Sequence, residues 1–207
     1  MSTFNSTITG TGDSLFGTEA NQLVQGTDSG QLMGSKYSNS CVFGSGGADT
    51  ISAVSPVESL SGVGIGTTYT GNTGNDSFDF STYALTSVSV AAGADNDTVS
   101  IKGIATATSV RTGAGSDLVQ VDAAFLNSLI ETGADADYVR LRDSVSGGTF
   151  RFGSGADTLA VSGTITATLI EGKADNDSFV FNDAVIGSTV LGNDAADSSG
   201  DGSDTIV

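Results

Sequence analysis

Histidine and tryptophan are absent from this chain, proline and cysteine each occur once, and only seven of its 207 residues are lysine or arginine. Each shortage excludes something. Without histidine, and with Cys41 as the lone thiol, neither a disulfide framework nor a cysteine-histidine zinc site can be assembled, and Cys41 reads as a small buried filler. With a formal net charge of -17, the chain has no basic patch for phosphates, which excludes nucleic acid and anionic lipid surfaces as partners. No apolar run approaches the length of a membrane span, so no membrane insertion is expected. No lysine or arginine precedes Lys36, and the expectation is a chain without a conventional secretory leader. Nor does any nucleophile stand with a base and an orienting group at an interpretable spacing, so the chain is expected to be non-enzymatic.

Glycine and aspartate are plentiful: 29 residues are glycine, and aspartate supplies 20 of the 24 acidic residues. Asp97, Asp117, Asp137, Asp157, Asp177 and Asp197 recur at one fixed period, the first five within GADNDTVSI, GAGSDLVQV, GADADYVRL, GSGADTLAV and KADNDSFVF. A fixed period of about 20 residues marks a solenoid. After each motif aspartate come two apolar columns in period-two alternation, Val99, Val119, Val139, Leu159, Phe179 and Ile101, Val121, Leu141, Val161, Phe181. They predict a strand with one buried face. Val90, Val110, Ile130, Phe150, Ile170 and Val190 predict a second strand. A third column, Leu85, Phe125, Val145, Ile165 and Val185, with Ile104 serving its own row, plugs the far turn. The expected fold is all-β: a right-handed parallel β-solenoid of β-roll type, with two strands per coil of about 20 residues.

Residues one period apart become lateral neighbours in such a stack. Arg111, Glu131, Arg151 and Glu171 alternate in sign along one outward column, and Lys102, Asp122 and Arg142 along another, as salt-bridge ladders would. Upstream the period loosens, because Asp49 in GSGGADTIS and Asp76 in GNTGNDSFDF are separated by more than one period. An inserted loop near 55–68 fits that difference. Residues 1–43 hold only partial copies, around Asp13 and Asp28, and read as irregular coils, a cap or an attachment segment before a solenoid over 44–207. The final stretch keeps Asp197 in phase and adds a short-spaced motif at Asp204. The open end is a sticky edge that invites self-association or attachment to a larger assembly.

Stacked aspartates repel one another and need compensation. Carboxylates and turn carbonyls suit hard oxygen-seeking cations, Ca²⁺ above all. The competing reading is that the aspartates cap turn amides. Two residues before each motif aspartate the chain alternates Asp95, Gly115, Asp135, Gly155, Asp175, Ala195, so adjacent gaps between coils are not equivalent, and ions in alternate gaps are a specific expectation.

Gly153-Ser154-Gly155-Ala156-Asp157-Thr158-Leu159 and Gly200-Asp201-Gly202-Ser203-Asp204-Thr205-Ile206 resemble the repeats-in-toxin (RTX) nonapeptide G-G-x-G-x-D-x-U-x from its second glycine onward. This resemblance covers the turns of 44–207 and implies several Ca²⁺ ions between stacked coils. The metal ligands it points to are Asp97, Asp117, Asp137, Asp157 and Asp177, together with Asp49, Asp76, Asp95, Asp135, Asp175, Asp197 and Asp204. The RTX coil carries two nonapeptides, whereas this chain has a single motif in each longer coil. The resemblance also implies an extracellular or cell-surface setting reached without a leader, by type I secretion, and a structural role in a surface layer, fibre or adhesin. A phage fibre or capsid-decoration protein is the alternative. A carbohydrate-active β-helix using Arg140, Arg142 and Arg151 is a remoter rival, as is an ice-binding face on Thr106, Thr108, Thr166 and Thr168.

Overall fold

The computed structural model describes residues 6–9, 14–17, 22–27, 30–35, 40–53, 66–80, 84–193 and 203–207. Every regular element among them is a β-strand, and all pair in parallel. Ten strands, from Ser6–Thr9 to Thr189–Asn193, form a sheet that runs into the aspartate turns; ten more, from Ser14–Gly17 to Thr205–Ile206, form a sheet that leaves them. These are the incoming and outgoing sheets. At about 4.8 Å per strand the stack is about 43 Å long. The fold is the expected parallel β-solenoid.

Alternation dictates what is buried. In each strand of Thr98–Ile101, Leu118–Val121 and Thr158–Val161 the second and fourth residues face inward. Val99, Val119, Val139, Leu159 and Phe179 are fully buried, as are Ile101, Val121, Leu141 and Val161. Val90, Val110, Ile130, Phe150 and Ile170 close the core from the incoming sheet. Aromatic residues fill its width: Phe125 packs on Phe150 at 5.7 Å between ring centroids, and Phe152 on Phe179 at 5.6 Å.

The two-strand coil expected from sequence needs a correction. The far turn is itself a strand, and six two-residue strands, from Leu85–Thr86 to Val185–Ile186, form a third, corner sheet. Its inward column is Leu85, Ala105, Phe125, Val145 and Ile165, all buried, whereas Val185, expected to plug the last far turn, is 40% exposed on the edge strand of this sheet. Ile104 does not take the plugging position. It is 48% exposed, while Ala105 is fully buried, because pairing with Leu85 and Phe125 fixes Ala105 as the inward residue.

Residues of 1–43 enter the same two large sheets in shorter coils. Ser6 lies opposite Gln22, Leu23 opposite Cys41 and Leu32 opposite Thr50, each pair closer in sequence than the main period. Cys41 is on the outward side of Cys41–Ser45 and half-buried, not a core filler. Burial pushes its thiol pKa up, against a hydrogen bond with Thr68.

The outward charge ladder exists. Arg111 pairs with Glu131 at 2.6 Å, Arg151 bridges Glu131 at 3.2 Å and Glu171 at 3.0 Å, and Lys173 joins Glu171 at 3.4 Å. The second ladder contracts to Asp122 with Arg142 at 3.0 Å; no ion pair joins Lys102 to Asp122.

Candidate functional site

Each aspartate turn lies between an incoming and an outgoing strand, and its motif aspartate directly precedes the outgoing strand. Parallel pairing therefore superposes these aspartates coil by coil. Their backbones join the ladder, since the N–H of Thr98 donates to the carbonyl of Asp76 at 2.9 Å and that of Leu118 to the carbonyl of Asp97 at 2.9 Å. The side chains add a second row of bonds. The N–H of Asp49 donates to Oδ1 of Asp76, Asp76 to Asp97 and Asp97 to Asp117, each at 2.7 Å. Asp117 donates to Asp137 and Asp137 to Asp157 at 2.8 Å, then Asp157 to Asp177 and Asp177 to Asp204 at 3.0 Å. The amide-capping role is thus filled, across coils rather than within a turn.

Capping occupies one oxygen per carboxylate. The Oδ2 atoms of Asp49, Asp76, Asp97, Asp117, Asp137, Asp157 and Asp177 are buried and have no hydrogen-bond partner. These seven residues are 1–3% exposed. The Oδ2 atoms of Asp49, Asp76 and Asp177 are tucked beneath the incoming strand: a Cβ at Gly44, Gly71 or Gly172 would run into them. A buried charged oxygen without a partner is costly. Burial accordingly lifts the carboxyl pKa of Asp76, Asp157 and Asp177 from 3.8 to about 6, and that of Asp97 and Asp137 to about 7. Backbone N–H donation from the preceding aspartate opposes the shift, and repulsion between neighbouring carboxylates adds to it. Asp49 and Asp117 shift upward for the same leading reason, burial.

The expected site residues divide into three groups. Asp49, Asp76, Asp97, Asp117, Asp137, Asp157, Asp177 and Asp204 are rungs of one ladder. Asp95, Asp135 and Asp175 stand beside it, exposed at the turn surface in the left-handed backbone region, with φ of 79°, 75° and 75°. Asp197 lies outside the described residues, and the rung after Asp177 is Asp204. The regular count fails there because Ser178 pairs with Thr205, so this coil is longer than its predecessors.

Sequence reasoning missed Gln31. It occupies the rung before Asp49, with its N–H donating to Asp49 Oδ1 at 2.7 Å, while its side-chain Oε1 accepts from Thr27 N–H at 2.8 Å. The signal was its place just ahead of the outgoing strand Leu32–Ser35, where the other rungs hold aspartate. A neutral amide takes the carboxylate's place at that rung.

The donor type suits a hard cation, because these are carboxylate oxygens without partners. Among the described residues no three acidic side chains form a ready-made metal cage, so carbonyls and water would have to complete any coordination shell. Arg151 is on the incoming sheet, Arg140 on the outgoing sheet, and Arg151 and Arg142 are paired with acids. Thr108 and Thr168 are buried and donate to the carbonyls of Thr106 and Thr166, so the four threonines form no exposed face. Comparison of the chain with protein-family models, with curated proteins and with solved structures finds no match.

Proposed function

We propose that this chain is a non-enzymatic, calcium-binding structural solenoid of RTX type, a rod whose acidic edge is stiffened by ions and whose ends serve attachment or self-association. One observation carries the reading: seven stacked, buried aspartates each present a carboxylate oxygen with no partner. A column of like charges inside a fold is tenable only if protons or cations neutralise it. At neutral pH, where carboxylates with pKa values of about 6 to about 7 begin to ionise, a divalent cation is the more effective partner. Calcium suits the site better than magnesium, because it accepts six to eight oxygen ligands in an irregular shell, whereas magnesium demands near-octahedral geometry.

The chain's own residues supply two of the requirements. The backbone N–H of each rung fixes the next carboxylate through Oδ1, so Oδ2 is held in place rather than free to rotate. The glycines at Gly44, Gly71 and Gly172 leave the space Oδ2 occupies. Calcium, when bound, would supply the positive charge that the ladder lacks. Free calcium is abundant outside cells, which suits the proposed rod to an extracellular, cell-surface or virion setting.

The test is to follow folding by far-ultraviolet circular dichroism as Ca²⁺ is added to EDTA-treated protein, with Mg²⁺ as control, and to count bound ions by calorimetry. Calcium-specific ordering with several ions per chain is expected. Full β-structure in EDTA with no calcium uptake would overturn the reading.

A further inference from the structure

A cavity of about 520 Å³ opens on the outer face of the incoming sheet, far along the stack from the charge ladder. Its described lining is Leu23, Gln25, Phe43, Ser45 and Asn72, from three neighbouring strands, Gln22–Gln25, Cys41–Ser45 and Thr68–Thr73. Alternation turns these side chains outward, because Val24, Val42, Gly44 and Gly71 between them are buried. Three strands place the lining within a span of about 10 Å. The volume falls in the range of small-molecule sites, about 300–1,000 Å³.

Two of the five residues stand where the next coils hold glycine. Ser45 pairs with Asn72, Asn72 with Gly93, Gly93 with Gly113 and Gly113 with Gly133. The whole column is left-handed, with φ of 102° and 82° at Ser45 and Asn72 and of 128°, 111° and 112° at the three glycines. Glycine adopts this backbone freely, whereas a side chain there stores strain. Lys173, which also has a left-handed backbone, is held by an ion pair with Glu171 at 3.4 Å. Ser45 and Asn72 have no such anchor. The Ser45 hydroxyl makes only a long bond, 3.3 Å to the carbonyl of Gly26, and keeps its lone pairs free. What the strained positions gain is polar side chains on the wall of a cavity.

In a chain of net charge -17, no described residue of this lining is charged. Gln25 and Asn72 are exposed, and among the described residues no group bonds their side-chain amides. The ring of Phe43 stacks on no other described aromatic residue. An aromatic face beside neutral donors and acceptors suits a ligand with an apolar C–H face and a rim of hydroxyls. We propose that this cavity binds a neutral hexopyranose, one sugar unit of a glycan, with Phe43 and Leu23 against its C–H face and Gln25, Ser45 and Asn72 bonding its hydroxyls. A purely apolar ligand would cover the two amides without pairing them, and an anion would meet no cation in this lining. The site gives the rod an attachment point on its flank and does not depend on the calcium reading.

Saturation-transfer NMR and calorimetry on the full chain in Ca²⁺ test this, with the methyl α- and β-glycosides of glucose, galactose, mannose and N-acetylglucosamine as probes and glucuronate and cyclohexanol as charged and apolar controls. At least one neutral glycoside is expected to bind more tightly than both controls. Phe43→Ala should weaken that binding about tenfold. The double variant Ser45→Gly with Asn72→Gly restores glycine to the column, so by circular dichroism it should melt no lower than the native chain, yet it should lose binding by a similar factor. Absence of binding by every neutral glycoside, or tighter binding of either control, overturns the proposal. Native affinity in both variants overturns the placement at this cavity, and a double variant that melts lower overturns the argument from strain.

Discussion

Removing metal should make the solenoid acid-loving. Five rungs have carboxyl pKa values raised from 3.8, Asp76, Asp157 and Asp177 to about 6 and Asp97 and Asp137 to about 7. A group raised on folding contributes stability that is fully present below its unfolded pKa, near 4, and that is lost as pH rises through the folded value. Each shift of two to three units corresponds to about 3–4 kcal/mol. Neighbouring rungs repel one another, so the five shifts are coupled and do not add; the gain expected on acidification is that of one or two rungs, about 3–8 kcal/mol. In EDTA, urea denaturation followed by circular dichroism should therefore show stability rising steadily as pH falls from about 8 to about 5. Saturating Ca²⁺ should remove or reverse that slope, because the ion competes with protons for the same oxygens. A metal-free stability that is flat or that increases towards pH 8 would refute the claim that the rungs are buried, uncompensated acids.

Four further outcomes are expected. At about pH 5 in EDTA, Asp137→Ala should lose about 1–3 kcal/mol because the buried N–H of Asp117 is left without its acceptor, whereas Asp137→Asn, which keeps an oxygen there, should be near neutral; equal losses by urea titration would sink the capping role. Phe125→Ala should cost about 3–5 kcal/mol by thermal or urea unfolding and Ile104→Ala less than about 0.5 kcal/mol, since the first is fully buried against Phe150 and the second is half exposed. Gly115→Ala should destabilise by more than about 1 kcal/mol, because its φ is 116° and a Cβ meets the Asp95 carbonyl; a neutral result would discard the close approach. Glu131→Gln should cost less than about 1 kcal/mol, and high salt should erase the difference, because its bridges to Arg111 and Arg151 are on the surface.

Residues with a periodic physical role were legible in the sequence. Val99, Val119 and Val139 recur because stacking repeats their surroundings, and the sign alternation of Arg111, Glu131, Arg151 and Glu171 reported the lateral register. What the period did not carry was harder to read. Gln31 performs an aspartate's backbone task with a different side chain. Asp204 rather than Asp197 is the next rung because strand pairing, not residue count, sets position when a coil lengthens. Ile104 outranks Ala105 in hydrophobicity, yet the inward direction of a two-residue strand is decided by its neighbours Leu85 and Phe125. That each rung leaves Oδ2 without a partner is likewise invisible without coordinates.

Coil length sets the cross-section, and parity constrains coil length. The paired residues Ser6 and Gln22, Leu23 and Cys41, and Ser89 and Ser109 are all separated by an even count. Evenness keeps the same side chains inward in both large sheets, because a one-residue slip would turn every apolar column outward. The main period exceeds the Leu23–Cys41 spacing by two residues, the length of a corner strand, and among the described residues the corner sheet runs from Leu85–Thr86 to Val185–Ile186. Odd offsets occur as well, from Cys41 to Thr68, from Ser178 to Thr205 and, closest to the main period, from Thr68 to Ser89, where the extra residue lies between Phe80 and Leu85. Thr68 pairs with Ser89 and Ser77 with Thr98, one residue more than the main period in both sheets. The surplus falls in the connection from Phe80 to Leu85, which is one residue longer than that from Ile101 to Ala105. Deleting one residue within that connection should therefore be tolerated, whereas deleting Ser100 from the middle of an outgoing strand should turn Val99 or Ile101 towards solvent and unfold the coil. Equal thermal stability of the two deletions would show that parity is not what constrains this chain.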